Sequence, residues 1–303
     1  MKKLINLLFV VVWLFTLVGC KKNKDEEDNR PTLTVGMECD YAPFNWTESA
    51  KTDTNYPIDG TRLYADGYDV QIAKRIADAL NYRLVIKAIS WDGLIAALEA
   101  GQIDAIIAGM SDTDERRISV DFTSAYYKST HVLVMSKTSP YINGTTLNDF
   151  VGAKVVGQAN TLYDSLIDQL QGVEHMTPIQ TVSTIIMNIN SAKSDITILE
   201  EPVAMGVIKT NPNLTYVKLT SGFNVNDKDI EVAIAVRKGN LDLNQKIAVL
   251  TDDDNTQIVA GAGTGKTVIA IRFLDGFNNE NSDKWAAYFT QSKESSFRFY
   301  SVF

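Results

Sequence analysis

Arg116 is the residue with the most pointed chemistry in this 303-residue sequence. It follows a run that is apolar except for Asp104, Ile103 to Ala108, and a small-residue turn, Gly109-Met110-Ser111-Asp112-Thr113. A planar guanidinium fork matches a carboxylate with two parallel hydrogen bonds, and a glycine-led turn brings backbone N–H groups close to an anion. The plainer alternative is a surface charge near Asp114 or Glu115. Arg117, next door, is expected to point elsewhere. A second anion-binding feature opens at Asn160-Thr161, after a strand ending at Gln158. A helix start there offers free N–H groups and a favourable dipole; an ordinary helix cap is the alternative. Farther on, Ala260-Gly261-Ala262-Gly263-Thr264-Gly265-Lys266-Thr267 has the spacing of a phosphate-cradling loop, with Lys266 for phosphates and Thr267 for magnesium. Other chemistries lack material. Two histidines, His131 and His175, and no Cys/His cluster point to no metal site, no cofactor and no nucleophile–base pair.

The elements that must position these residues alternate between short apolar strands and amphipathic helices. Leu33 to Met37 reads as a strand. Val70, Ala73, Ile76, Ala77 and Leu80 repeat at helical spacing behind Asp69, a suitable N-cap. Leu84 to Ile89 is a strand, Trp91 to Ala100 a helix closed by Gly101, and Ile103 to Ala108 a strand buried on both faces. A second series begins near Lys137. It runs through a strand at Ala153 to Gln158, a helix at Asn160 to Leu170 and a strand at Asp195 to Leu199. A helix at Glu201 to Lys209, a strand at Glu231 to Arg237 and a helix at Leu241 to Leu250 follow. Such alternation predicts α/β architecture with mostly parallel sheets, and the length from 32 to 250 suits two lobes. Open α/β sheets bind ligands beyond the carboxyl ends of their strands, so a cleft between the lobes is expected.

The first twenty residues read as an export signal. Lys2 and Lys3 precede an apolar run from Leu4 to Val18, too short to span a membrane as a helix, and Leu17-Val18-Gly19-Cys20 closes it. The Leu-x-Gly-Cys ending resembles a bacterial lipobox, which implies cleavage before Cys20 and lipidation of its thiol. Residues 21–31, KKNKDEEDNRP, have no apolar residue and read as a solvated tether. Removing Lys2 and Lys3 takes the formal charge from -8 to -10. That balance argues against nucleic acid as a partner, since phosphate binding needs a basic face. Only Cys39 remains after Cys20, so no disulfide framework is expected.

Three local sequences occur in order: Glu38-Cys39-Asp40-Tyr41-Ala42-Pro43-Phe44-Asn45-Trp46, Gly67-Tyr68-Asp69-Val70, and Gly109 to Arg116. Together, from about Thr32 to Leu250, they resemble the amino-acid-binding proteins of bacterial ABC importers, extracellular solute-binding family 3. The resemblance implies an α/β, type II periplasmic-binding-protein fold of two lobes, with mixed sheets flanked by helices and a ligand cleft between them. It assigns Arg116, Ser111 and the Gly109 backbone to the ligand carboxylate. Tyr41 and Trp91 become aromatic walls, and Gln158 and Thr161 line the second lobe. In place of the family's Gly-Ser/Thr pair, this chain has Ala159-Asn160-Thr161. Glu200 is assigned to the ligand ammonium, with Glu201 the neighbouring alternative, and Glu38 to a polar or cationic side chain.

The expected organisation is a signal peptide over 1–19, a lipidated tether over 20–31, lobe 1 over 32–134, lobe 2 over 135–224 and a return to lobe 1 over 225–250. Chain crossings are expected near 130–137 and 219–230. The expected function is capture of a free amino acid by hinge closure, without catalysis. The chain would be anchored outside the bacterial membrane through Cys20 and would deliver ligand to an ABC permease. A sensory receptor on the same fold is the alternative. Residues 251–303 depart from the family pattern. Their glycine-rich loop, with Gly265, Lys266 and Thr267 as nucleotide contacts, resembles the start of a helicase-like ATPase. Only 36 residues follow Thr267 (303 − 267), too few to complete such a domain. The segment reads as a join of unrelated sequences or a partial nucleotide-binding module.

Overall fold

The computed structural model describes residues 28–240, Leu243 and four short strands beyond: Ile247–Leu250, Ile269–Arg272, Tyr288–Gln291 and Phe297–Tyr300. Residues up to Pro31 form one unit, and Thr32 onward forms another. The second unit begins with β1 (Thr32–Met37), which buries Leu33, Val35 and Met37. The chain continues through β2 (Arg83–Ala88), β3 (Ala105–Ile106) and β4 (Val120–Lys128). It then enters a second sheet through β5 (His131–Ser136), β6 (Lys154–Val155), β7 (Glu174–His175), β8 (Ile196–Glu200) and β9 (Leu214–Val217). Finally β10 (Glu231–Arg237) returns to the first sheet.

The orders are β2-β1-β3-β10-β4 and β7-β6-β8-β5-β9. In the first sheet β1, β2 and β3 are parallel while β10 runs antiparallel to β3 and β4. In the second, β6, β7 and β8 are parallel while β5 runs antiparallel to β8 and β9. Each lobe is therefore a mixed sheet built around three parallel strands.

Helices cover both sheets. α1 (Tyr68–Leu80) buries Val70, Ile72, Ala73, Ile76 and Ala77 against the first sheet and stops where Asn81 turns left-handed at φ 56°. α2 (Leu94–Glu99) adds Leu94 and Leu98 to the same core. In lobe 2, α3 (Leu162–Leu166) packs on one face of the sheet, and α4 (Val182–Asn190) and α5 (Glu201–Thr210) pack on the other. Alternation along β5 makes this possible: Val132 and Val134 face α4 and α5, whereas Leu133 and Met135 face α3.

Several expectations change here. Asp69 is not the cap of α1; Gly67 occupies that position, and Asp69 lies fully buried in the first turn. Ile103 to Ala108 is buried almost throughout, yet only Ala105–Ile106 pairs in the ladder. Helix α3 begins at Leu162 rather than Asn160, because Asn160 has φ 58° and cannot continue a right-handed turn. The first chain crossing, expected near 130–137, falls between Lys128 and His131.

At the carboxyl end, Ile247–Leu250 is a strand paired in parallel with Ile269–Arg272, whereas a helix is expected over Leu241 to Leu250. The runs Ile-Ala-Val-Leu and Ile-Ala-Ile-Arg are rich in β-branched residues, which suit a pleated strand. The strand at Ile269–Arg272 stands where a phosphate-binding loop would need its helix. Gly265, Lys266 and Thr267, like Cys20 and the export signal, lie outside the described residues. Among the described residues, no helix is long and apolar enough to cross a membrane, and no group of three or more His, Cys, Asp or Glu residues could hold a metal ion.

Candidate functional site

A cleft lies between the sheets. The residues at its walls follow the carboxyl ends of parallel strands: Glu38 after β1, Trp91 after β2, Gly109 and Ser111 after β3, and Gln158 after β6. This is where the peptide groups of an open α/β sheet leave a crevice.

A fully buried network holds the lobe 1 wall. The Asp69 carboxylate accepts hydrogen bonds from Asn45 Nδ2 (2.7 Å) and the Tyr126 hydroxyl (2.6 Å). Asn45 Oδ1 in turn accepts from the backbone N–H of Cys39 at 2.7 Å, and Tyr126 Oη accepts from the N–H of Gly109 at 3.2 Å. One carboxylate thus ties the strand end that carries Glu38 to the turn that carries Ser111. Burial lifts Asp69 to about 6, and its hydrogen bonds limit that rise. The Gly109 N–H is consumed in this network. Its φ of 62° favours glycine, and a Cβ there would stand 3.1 Å from the Tyr41 ring.

Tyr41 is stacked on Phe44 with centroids 5.8 Å apart and planes at 12°. Both rings belong to the buried cluster that also holds Val203 and Ala204 of lobe 2. The Tyr41 hydroxyl donates to Glu200 Oε2. Glu200 is buried at the end of β8, and its other oxygen has no partner among the described residues. Burial pushes its pKa up to about 8. Glu200 is the one expected binding residue that does not line the cleft; it stands behind Tyr41.

Arg116 begins a short helical turn, Arg116–Ser119. Its guanidinium lies 5.1 Å from the Trp91 ring centroid and donates to the Ser111 carbonyl at 2.9 Å and the Asn160 carbonyl at 3.5 Å. Burial lowers its pKa. Arg117 points away, pairs with Asp112 and lies over Phe122.

From lobe 2, Gln158 Nε2 donates to both Glu38 oxygens at 3.2 and 3.3 Å and to the Gln180 carbonyl at 3.0 Å. Burial, with a smaller contribution from Asp40 and Asp92, raises Glu38 to about 7 even though Gln158 opposes the shift. Thr161 precedes α3, but its hydroxyl donates back to the Gln158 carbonyl at 2.7 Å instead of capping the helix. The lining comprises Glu38, Tyr41, Trp91, Gly109, Ser111, Arg116, Gln158 and Thr161, together with Leu162 and Tyr163. The last two were missed. The signal for them was the helix start itself, whose first-turn residues follow Thr161 into the cleft.

Two mixed sheets, linked by two chain crossings and facing each other across a polar cleft, define a two-lobed binding protein of the type II periplasmic class. The chain belongs to the bacterial extracellular solute-binding proteins, family 3, whose family model matches residues 33–257. It is 30% identical over 244 residues to the arginine-binding extracellular protein ArtP of Bacillus subtilis, covering 78% of this chain and 87% of that one. It is 28% identical over 253 residues to the L-cystine-binding protein TcyJ of Escherichia coli, covering 81% and 86%. Among solved structures it is similar to the amino acid ABC transporter substrate-binding protein AbpA of Streptococcus pneumoniae bound to L-arginine. The TM-score is 0.60 and the identity 28%, over 70% of this chain and 84% of that one.

Proposed function

We propose that this chain captures a free amino acid with a polar or cationic side chain outside the cell membrane and delivers it to an ABC importer. The observation that carries this reading is charge left unanswered around one cleft. Among the described residues, neither Arg116 nor Glu38 has an ion-pair partner. A zwitterion supplies what each lacks.

The α-carboxylate suits the Arg116 fork beside Ser111. The ammonium suits the Tyr41 oxygen. Because the Tyr41 proton is committed to Glu200, its lone pairs are left to accept, and Glu200 acts through Tyr41. Glu38 and Trp91, both in the cleft lining, suit a cationic or polar side-chain end. Relatives named for arginine and cystine fit that chemistry. Membership of an extracellular solute-binding family agrees with an extracytoplasmic location, to which we add a lipid anchor at Cys20. The reading is of a receptor, with no bond made or broken.

Calorimetric titration with L-arginine tests it. Arg116→Ala should cost roughly 2–5 kcal/mol of binding free energy, by analogy with truncation of one partner of a buried charge pair. Unchanged affinity in that variant would remove Arg116 from the site.

A further inference from the structure

We propose that Asn160 is an inter-lobe latch, a positioning residue that grips the Trp91–Gly93 turn of lobe 1 and sets how readily the cleft closes. Asn160 belongs to lobe 2 and is absent from the cleft lining. It reaches three residues of lobe 1. Its backbone carbonyl accepts from Trp91 Nε1 at 3.1 Å and from Arg116 at 3.5 Å, and its side-chain Nδ2 donates to Asp92 Oδ1 at 2.8 Å. Trp91 and Asp92 occupy one 3-10 turn, so two of these bonds hold the same rigid piece. On the lobe 2 side, the preceding Ala159 N–H is tied to the Ile179 carbonyl at 2.9 Å.

The conformation says what the side chain adds. At φ 58° a glycine would fit without a steric penalty and would make both carbonyl bonds equally well. Only asparagine supplies the bond to the Asp92 carboxylate, a charge-assisted contact. Trp91 is also the ring beneath the Arg116 guanidinium, so the latch holds both walls of the carboxylate clamp in place.

Every one of these bonds runs from protein to protein. A contact made only when the lobes meet multiplies the closed population, whichever ligand is present. The latch therefore tunes affinity without tuning selectivity, and in this respect it rests on the binding reading given above.

The variant Asn160→Gly of the full chain isolates the amide, since it keeps the backbone conformation and the carbonyl. Affinities for L-arginine and L-glutamine should fall by the same factor, about 3- to 10-fold for one partly exposed hydrogen bond to a charge. Asp92→Ala should give a similar loss, and the double variant no further loss. X-ray scattering without ligand should show a larger radius of gyration for Asn160→Gly than for the unaltered chain. Losses that add in the double variant, a loss for only one amino acid, or unchanged affinity and radius would overturn the latch. If the unaltered chain binds neither amino acid, the binding reading fails, and the scattering comparison still decides the latch.

Discussion

Glu38 sits half-buried at the end of β1, and burial above all lifts its pKa from 4.5 to about 7. The folded chain then keeps a proton that the unfolded chain has released, so this group's contribution to stability falls as pH rises from about 4.5 to about 7. Denaturant unfolding should show a shallower loss of stability over that window in Glu38→Gln than in the unaltered chain. An identical pH slope would mean that Glu38 is not the titrating group. The same ionisation should strengthen L-arginine binding between about pH 6 and pH 8, and Glu38→Gln should abolish that rise. Gly109→Ala addresses the neighbouring wall. Its Cβ would press on the Tyr41 ring from a left-handed backbone, costing about 1–2 kcal/mol from the backbone alone. Chemical denaturation measures the stability loss, and titration should show weaker binding as Tyr41 is displaced.

Among the elements, α1 matters to the site through Asp69 rather than through its length. Its first turn delivers one carboxylate to two backbone segments, at Cys39 and Gly109. Asp69→Asn keeps the shape but sets two amide groups against each other at Asn45. It should lower stability by about 1–3 kcal/mol, the range for leaving a buried polar group unsatisfied. Affinity measured far below the unfolding temperature should fall too, and Asn45→Asp in the same chain should restore part of it. A drop in stability with affinity intact would make Asp69 a packing residue only.

Much of this scale was legible in the sequence. The 3.6-residue spacing of Val70, Ala73, Ile76 and Ala77 gave α1 away, and the apolar run at Ile103 gave away a doubly buried strand. The rest depended on pairing and backbone geometry that spacing does not encode. The ladder at β3 is two residues long although Ile107 and Ala108 beyond it are equally apolar. The left-handed turn at Asn160 delays α3. A run such as Ile-Ala-Val-Leu serves strand or helix, and its partner decides which.

At the scale of the whole molecule, the two lobes meet through side chains contributed from both. Tyr41 and Phe44 of lobe 1 pack in the lobe 2 core, Gln158 reaches Glu38, and Ser183 donates to Asp40 at 2.7 Å. The two chain crossings lie side by side, with the Ser129 N–H bonded to the Ile230 carbonyl at 3.0 Å. Adjacent crossings of this kind allow lobes to swing while each sheet stays intact. Eight of the nine expected binding residues line the cleft, and five of them, Glu38, Tyr41, Gly109, Ser111 and Arg116, lie in the three ordered motifs. Glu200 stood apart because its distance from the ligand depends on Tyr41 lying between them, which no linear motif records.

Thermal unfolding of the full chain in the presence of each of the twenty amino acids tests the central claim most directly, because a ligand bound only by the folded state raises its apparent stability. A ligand at about 100 times its Kd adds roughly 2.7 kcal/mol, enough to move the midpoint by several degrees. L-Arginine or another cationic or polar amino acid should raise the midpoint, and leucine and valine should leave it unchanged. A flat response to all twenty, or stabilisation by leucine alone, would contradict the account.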